Sequence, residues 1–188
     1  MTIHILRPGL LTTVQDLGRW GNQRYGIVVG GAMDTLALRM ANLLVGNPEA
    51  AAGLEMTLLG PTIHFEQGAV VALCGGEFRA MLDDAPLSTW RPVGIRKGST
   101  LTCGSSTTGC RGYLAIGGGI DVPIVLRSRS TYLHGKFGGH EGRALREGDL
   151  LNMGHSTLAV SRSPCPWRVG SVTPAYDNHP VLRVILGS

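Results

Sequence analysis

The chain has 188 residues, of which 43% are hydrophobic and 16% are charged, and its formal net charge is +4. This balance suits one compact domain with a substantial core. Lysine and arginine are scattered without a basic run interleaved with aromatic residues, which argues against a nucleic-acid partner, and no apolar run approaches the length of a membrane span.

Strand patterns dominate the chain and are separated by glycine and proline turns, such as Gly60-Pro61 and Gly75-Gly76. The predicted strands are Thr2–Arg7, Leu11–Gln15, Leu54–Leu59, Thr62–Glu66, Val70–Cys74, Phe78–Leu82, Thr100–Cys103, Arg111–Ile116, Ile120–Leu126 and Asp149–Met153. Short strands that recur at roughly 8–12-residue spacing predict an antiparallel sandwich or barrel.

One amphipathic helix interrupts this pattern. Asp34 is a natural N-cap for a helix that extends to Val45, and Gly46 suits the left-handed position that ends it. The predicted apolar face consists of Leu36, Met40, Leu43 and Leu44. We expect this face to plug an open end of a β-barrel. Asn47-Pro48-Glu49 then predicts a turn or a second short helix.

The strand pattern weakens beyond about Gly154. Ser161–Trp167 has the composition of a linker, and Val181–Leu186 predicts a new strand. We therefore predict an N-terminal barrel over residues 1–155, a linker over residues 156–180 and, over residues 181–188, the first strand of a truncated second barrel.

The four cysteines are Cys74, Cys103, Cys110 and Cys165, and none forms a C-x-x-C pair. The start of the chain is typical of a short strand and not of a secretory signal. We therefore expect reduced thiols in a cytoplasmic protein rather than a disulfide framework. The spacing of cysteine and histidine does not support a metal site, and we predict none.

The glycine-rich segment Gly117–Gly119 follows a strand and could cradle a phosphate group. However, no lysine follows in P-loop spacing and no long helix follows, so neither a Walker nor a Rossmann site is predicted. A sharp bend is the favoured interpretation. Asp121 is then either a turn residue or a carboxylate that faces a ligand.

Two later segments, Ser128–Thr131 and Lys136–Arg143, combine hydroxyl groups, guanidinium groups and glycine amides. These groups suit recognition of a carboxylate or phosphate, with Arg129 and Arg143 as bidentate donors. A flexible polar loop over the mouth of a barrel is the alternative interpretation.

A further group of charged residues lies beside turns and strand ends, namely Asp16, Arg19, Asp34 and Glu55. Paired carboxylates can carry out acid–base chemistry. Helix capping is a sufficient role for Asp34, however, and Asp16 with Arg19 could form a local ion pair.

Seven segments, in this order, carry a family resemblance: Thr12–Arg19, Gly31–Asp34, Ala41–Asn47, Leu54–Thr57, Tyr113–Pro123, Ser128–Thr131 and Gly138–Arg143. Through them the chain, from about Arg7 to Asn152, resembles the biotin-dependent carboxyltransferase-like family. That family includes the KipA-type C subunit of 5-oxoprolinase, allophanate hydrolase subunit 2 and part of the carboxyltransferase domain of urea carboxylase. The chain departs from the usual pattern at Gly30, Arg127 and Tyr132.

The resemblance implies a mainly β, cyclophilin-like β-barrel with one or two short helices. It also implies an ATP-dependent 5-oxoprolinase that opens 5-oxoproline to glutamate together with two partners, a KipI-type B subunit of the complex and its A subunit. Two alternatives stay open. One is biotin-dependent carboxyl transfer, with biotin on a partner, and the other is a non-catalytic partner of a KipI-type kinase inhibitor.

The residues that we predict to bind substrate lie in the seven segments that carry the resemblance, which we call the motif loops. We assign no catalytic residue. The predicted substrate-binding residues are Arg19, Gly31, Asp34, Glu55, Tyr113, Asp121, Arg129, Ser130, Gly138, Gly139 and Arg143.

Overall fold

The computed structural model describes residues 1–156, 158, 167–170, 174–177, 179, 181, 183–185 and 187. No helix in these ranges is long and apolar enough to cross a membrane. The predicted linker over residues 156–180 and the predicted strand over residues 181–188 are described only in part, and both stay predictions.

Within the described residues the chain forms twelve strands, one α-helix and one short 3-10 helix over Gln23–Tyr25. The strands are β1 (Thr2–Arg7), β2 (Leu11–Gln15), β3 (Gly53–Thr57), β4 (Thr62–Phe65), β5 (Ala69–Phe78), β6 (Met81–Leu82), β7 (Ala85–Pro86), β8 (Val93–Ile95), β9 (Thr100–Thr102), β10 (Ser106–Ile116), β11 (Ile120–Asp121) and β12 (Leu150–Met153). The helix α1 spans Thr35–Leu44.

The strands form two antiparallel sheets. One has the order β11-β12-β1-β4-β9-β6-β7 and the other has the order β2-β3-β10-β5-β8. The mainly β prediction is confirmed. The two sheets are not closed into one barrel, and their arrangement is compatible with a cyclophilin-like fold.

The main core lies between the two sheets. Ile3 and Ile63 contribute from the seven-stranded sheet, and Leu54, Leu73 and Leu114 contribute from the five-stranded sheet; all five are fully buried. Side chains alternate between the faces of a strand, so the residues next to Leu73 and Leu114 along β5 and β10 point to the opposite face. A second buried cluster covers that face and includes α1.

The bounds of the helix agree with the sequence. The Asp34 carboxylate accepts a hydrogen bond from Ala37 N at 3.0 Å, which caps the first turn. Gly46 has φ of +73° directly after the C-cap residue Val45. The following segment forms a turn and not a second helix.

The predicted apolar face of the helix is wrong at two of its four residues. Leu44 is buried and Met40 packs against the second cluster, but Leu36 and Leu43 are 47% and 51% exposed. Residues outside the predicted face, namely Ala37, Leu38 and Ala41, are fully buried instead. The helix packs across β5 and β10, where most of the facing residues are small. Alanine allows a helix to approach a sheet closely, so the smaller residues face inward. The helix therefore covers a face of the five-stranded sheet rather than plugging a barrel end.

The largest difference between the predicted and the observed strands is at Gly75-Gly76, where the sequence predicts a break. These glycines lie inside β5 and not at a break between strands. Gly75 has φ of +98°, and a Cβ atom there would lie 2.6 Å from Arg111 O. The pairing of β5 with β10 shifts in register next to this point, so the glycines form an irregularity within a continuous strand.

Further differences concern short strands. The strand predicted from Ile120 ends at Asp121, shortly before Pro123, because proline cannot donate to a ladder. The two-residue and three-residue strands β7 and β8 had no clear signal in the sequence.

The three cysteines among the described residues, Cys74, Cys103 and Cys110, are free thiols, as predicted. Burial raises the pKa of the Cys103 thiol to about 12. Cys165 lies outside the described residues.

Candidate functional site

Several motif loops meet at the end of β2, beside the start of α1. Ala32 N donates a hydrogen bond to Asp16 O at 2.9 Å, which ties the segment before the helix to the end of β2. Thr131 N and Thr131 Oγ1 both donate to Val14 O at 2.9 Å, which ties the Ser128–Thr131 segment to the same strand. Segments more than 100 residues apart in the chain thus share one location.

The buried carboxylate of Asp16 organises the first part of the site. Its Oδ1 accepts from Gly18 N at 2.8 Å, from Ser128 Oγ at 2.7 Å and from Ser130 Oγ. Its Oδ2 accepts from Arg129 N at 2.5 Å, and Asp16 N donates to Ser130 Oγ. These charge-assisted hydrogen bonds join the loop after β2, which contains Gly18, to the Ser128–Thr131 segment. We refer to these two segments as the two loops of the site.

Arg19 is fully buried beneath these loops. Its Nη2 donates to Ser130 O, and its guanidinium lies 4.9 Å from the centre of the Phe137 ring. No partner accepts from its Nε or Nη1 among the described residues. Burial lowers the pKa of Arg19, and the charge of Asp16 opposes that effect. The local ion pair suggested for Asp16 and Arg19 is absent from the described contacts, and the two groups interact only through the proximity of their charges.

Gly138 and Gly139 pack against the Ser128–Thr131 segment. A Cβ atom at Gly138 would lie 2.1 Å from Ser130 O, and one at Gly139 would lie 1.9 Å from Thr131 Oγ1. Both residues also have positive φ, at +69° and +55°. Only glycine combines this backbone conformation with such close approach. Gly31 makes a comparable approach to the backbone of Gly18.

A second hydrogen-bonded group surrounds Glu55. Neighbouring positions on β3 and β10 place Glu55 opposite Tyr113. Glu55 Oε2 accepts from Tyr113 Oη and from Met33 N, both at 2.8 Å, and Glu55 Oε1 accepts from Arg111 Nη1 at 2.8 Å. Tyr113 Oη in turn accepts from Asp34 N at 2.7 Å. Burial, and then the charge of Glu55, raise the pKa of Tyr113, so its hydroxyl acts here as a neutral donor.

Asp34 joins this group to a later part of the chain. One carboxylate oxygen caps α1, and Oδ2 accepts from Tyr176 Oη at 2.5 Å. Burial, followed by the hydrogen bond to Asp34, raises the pKa of Tyr176. Both oxygens of Asp34 therefore have partners, and the helix start is fixed from two sides.

The side chain of Arg129 lies at the edge of the site. Its Nε donates to Val122 O at 3.0 Å, and its Nη2 lies 3.6 Å from Asp121 Oδ1. The Asp121 side chain is 63% exposed. Asp121 is thus both a strand-end residue and an exposed carboxylate beside an arginine.

Arg143 lies in a separate ion-pair network. Its Nη1 and Nη2 donate to the two carboxylate oxygens of Asp149 at 2.7 and 2.8 Å, and its Nε and Nη2 donate to Glu141 Oε2 at 3.0 and 2.7 Å. These bonds lower the pKa of Asp149 to about 2 and raise that of Arg143. The donors that the sequence assigned to a ligand are engaged with carboxylates of this chain.

We expect Asp149→Asn to reduce the free energy of unfolding at pH 6 and to matter less as the pH falls. The folded-state pKa is about 2 and the ordinary value is 3.8, so the ionised form stabilises the fold above about pH 5 and loses that contribution between about pH 4 and about pH 2. Urea unfolding of both proteins at pH 6, 4 and 3 measures the difference. The exposed Asp121→Asn serves as the control. A difference between wild type and Asp149→Asn that stays constant with pH would contradict this prediction.

The structure brings most of the predicted residues together in two adjoining groups. Arg19, Arg129, Ser130, Gly138 and Gly139 surround Asp16, while Glu55, Tyr113 and Asp34 form the second group. The segment that contains Gly31 connects the two groups. Asp121 and Arg143 lie outside them.

The predicted list of site residues omitted Asp16, which the sequence offered only as a charged residue beside a turn, and it also omitted Arg111, Ser128 and Tyr176. Arg111 lies two positions before Tyr113 in β10, and this spacing places both side chains on one face of the strand. The spacing could therefore have predicted that Arg111 lies beside Tyr113. Ser128 belongs to a predicted segment but was not selected. Tyr176 reaches Asp34 across 142 positions, and no local pattern indicates that contact.

The glycine segment after β10 forms a bend. Gly118 N donates to the Asn47 side chain at 2.7 Å, and a Cβ atom at Gly118 would lie 2.3 Å from Gly154 O. This packing supports the bend interpretation over a phosphate cradle. In the described part of the chain, no group of three or more His, Cys, Asp or Glu side chains could hold a metal ion.

Comparison with known proteins identifies the class to which this mainly β domain belongs. The family model described as "Carboxyltransferase domain, subdomain A and B" matches residues 25–188. The chain belongs to this family.

Three relatives illustrate the similarity. The chain is 47% identical over 154 residues to the C subunit of 5-oxoprolinase from Escherichia coli, covering 82% of this chain and 50% of that protein. It is 42% identical over 172 residues to urea amidolyase of Lachancea kluyveri, covering 91% of this chain and 9% of the relative. The crystal structure of the K. lactis urea amidolyase superposes with a TM-score of 0.86 at 39% identity, covering 94% of this chain and 11% of that one.

The chain therefore spans half the length of one relative and less than a tenth of the other. The matched part of each relative belongs to an enzyme. In 5-oxoprolinase it lies in one subunit, and in urea amidolyase it is a region of a larger chain.

Proposed function

We propose that this chain is part of an ATP-dependent 5-oxoprolinase, which opens 5-oxoproline to glutamate together with partner subunits. The observation that carries this proposal is the 47% identity to the C subunit of a 5-oxoprolinase across 82% of the chain. The partners that we propose are a KipI-type B subunit of the complex and its A subunit, and the compartment is the cytoplasm.

The chemistry of this reaction fits the groups at the site. A lactam carbonyl is a poor electrophile, and phosphorylation of its oxygen by ATP would make ring opening feasible. Arginine and backbone N–H donors in a buried site stabilise the negative charge that develops on oxygen. In the group around Glu55, Arg111 is held by its Nη1, and none of the described residues accepts from its Nε or Nη2, so these two donors could serve this purpose. We propose that ATP is used by the assembled complex.

The second candidate function is biotin-dependent carboxyl transfer. Identity of 42% to a urea amidolyase across 91% of the chain, together with the TM-score of 0.86 with a urea amidolyase structure, supports it. Biotin would then be attached to a partner or to another region of a longer protein and would supply the activated carboxyl group. Arginine residues at the site could bind the carboxyl group through paired N–H donors.

Co-expression of the full-length protein with both partner subunits tests the proposal. We expect release of glutamate from 5-oxoproline that depends on ATP. A well-folded complex without this release would exclude the proposed function. Carboxyl transfer from carboxybiotin would establish the second candidate, and tight association without either turnover would indicate a non-catalytic role beside a KipI-type inhibitor.

Arg129→Ala is expected to lower the activity of the complex about tenfold or more without unfolding the domain, because the backbone N–H that Asp16 holds is retained while a guanidinium at the edge of the site is lost. Steady-state turnover together with a thermal melt measures both effects. Arg96→Ala, at an exposed position away from the site, is the matched control. A fully active Arg129→Ala variant would remove this side chain from the site.

A further inference from the structure

Within the described part of the chain, the guanidinium of Arg111 is held by hydrogen bonds from one of its nitrogen atoms only. Its Nη1 donates to Glu55 Oε1 at 2.8 Å and to Thr57 Oγ1 at 2.9 Å. The side chain is 27% exposed, whereas that of Glu55 is 8% exposed. The buried side of the guanidinium is therefore anchored, and its remaining donors are accessible from solvent.

Those remaining donors are Nε and Nη2, and none of the described residues accepts a hydrogen bond from either. Nη1 lies on the same side of the guanidinium as Cδ, so Nε–H and Nη2–H point outward in parallel from the opposite edge. This edge matches the two oxygens of a carboxylate, and pairing of this kind is bidentate.

The arginines within the motif loops, namely Arg19, Arg129 and Arg143, lack this combination. The guanidinium of Arg19 is fully buried. That of Arg143 is engaged with Asp149 and Glu141, and the Nε of Arg129 donates to a backbone carbonyl. Of these three arginines and Arg111, only Arg111 combines an anchored side with an open bidentate edge.

The anchor of Arg111 is itself held in place. The carboxylate of Glu55 accepts from Tyr113 Oη and Met33 N, so it cannot rotate away without losing these bonds. A guanidinium that is fixed before binding loses little conformational entropy when a ligand arrives. Glu55 also balances the charge of Arg111, so selectivity at this edge arises from donor geometry more than from net charge.

We propose that the Nε–Nη2 edge of Arg111 binds the carboxylate of a small-molecule ligand. Under the proposed function, on which this choice of ligand rests, that group is the carboxylate of 5-oxoproline. The edge would then orient the lactam ring relative to the adjoining group around Asp16. The compound 2-pyrrolidinone has the same lactam ring without the carboxylate and is therefore the matched probe.

The test follows the Nε–H signal of Arg111 by NMR in the full-length protein with arginine labelled by 15N. The signal is assigned from its absence in Arg111→Lys. We expect acetate and 5-oxoproline to move this signal downfield, whereas 2-pyrrolidinone and chloride at equal ionic strength leave it in place. An Arg111 signal that does not respond to either carboxylate would overturn the proposal.

Affinity for 5-oxoproline gives the second measurement. We expect wild type to bind it at least about tenfold more tightly than 2-pyrrolidinone, and Arg111→Lys to lose about this factor because lysine cannot form a bidentate pair. Binding of 2-pyrrolidinone should stay unchanged. Arg79→Lys, at an exposed position, is the matched control. An equal loss of affinity for both compounds would show a structural role instead.

Two outcomes separate this site from the proposed function. If acetate moves the Arg111 signal but the complex does not turn over 5-oxoproline, then the carboxylate site stands and the proposed function fails. If Arg111→Lys disrupts assembly with the partner subunits and leaves ligand binding unchanged, then the edge contacts a protein carboxylate, which overturns the small-molecule site.

Discussion

Replacement of Asp16 by alanine is expected to lower the free energy of unfolding by about 3–5 kcal/mol, the range for removing one member of a buried charged network. The carboxylate accepts from Gly18 N, Ser128 Oγ, Ser130 Oγ and Arg129 N. Alanine would leave two buried serine hydroxyls and two partly buried backbone N–H groups without this acceptor. It would also remove the negative charge that offsets the burial of Arg19.

Chemical unfolding of a graded set of variants measures this effect. Asp16→Asn keeps the shape but loses the charge and presents a donor at one position, so we expect an intermediate loss. Ser128→Ala removes one donor to Asp16 and the acceptor of the buried Ser130 N, so it should cost about 2 kcal/mol. Asp121→Ala, at an exposed carboxylate, should change stability by less than about 0.5 kcal/mol. An Asp16→Ala variant no less stable than Ser128→Ala would show that the carboxylate does not hold the two loops together.

The helix shows how far local signals predict this fold. A single capping residue, Asp34, and a left-handed glycine, Gly46, define its ends because both act through backbone groups a few positions away. Its buried face could not be predicted in the same way. That face depends on how closely the helix approaches β5 and β10, and close approach favours Ala37 and Ala41 over the larger Leu36 and Leu43.

The glycines of the strand region show a related limit. Gly75-Gly76 carries the local signal of a turn, yet both residues lie within β5. The same positive φ that suits a turn also suits an irregularity in a paired strand, and only the partner strand decides between them. Here β10 passes so close that a Cβ atom at Gly75 would meet Arg111 O at 2.6 Å.

The sequence predicted which segments form the candidate site, but it did not predict the contacts between them. Each motif loop was recognisable locally, but the bond between Ser128 and Asp16 joins residues 112 positions apart. The sequence also favoured Arg143 as a ligand donor because it lies in a glycine-rich polar loop. Its partner Asp149 is only six positions away, yet that pairing depends on how the intervening turn folds back.

Replacement of Glu55 by glutamine is expected to cost about 2–4 kcal/mol in the free energy of unfolding, since one buried charge of a hydrogen-bonded pair is lost. Glutamine has one acceptor oxygen and one NH₂ group in place of two acceptors. If its oxygen faces Tyr113 and Met33, its NH₂ group faces Arg111, which is also a donor. Either orientation leaves a donor without an acceptor. Tyr113→Phe removes one hydroxyl and should cost less, about 1–2 kcal/mol.

A double-mutant cycle of Glu55→Gln with Arg111→Met isolates the ion pair from the rest of the network. In the single Glu55→Gln variant the guanidinium of Arg111 has lost its carboxylate partner, and in the double variant the guanidinium is absent. Arg111→Met should therefore lower the free energy of unfolding less in the Glu55→Gln variant than in wild type. We expect a coupling energy of about 1–2 kcal/mol, reduced by the partial exposure of Arg111. Additive effects would mean that Glu55 stabilises the fold through Tyr113 and Met33 alone. Arg111 would then lack the fixed position that selective binding of a carboxylate requires.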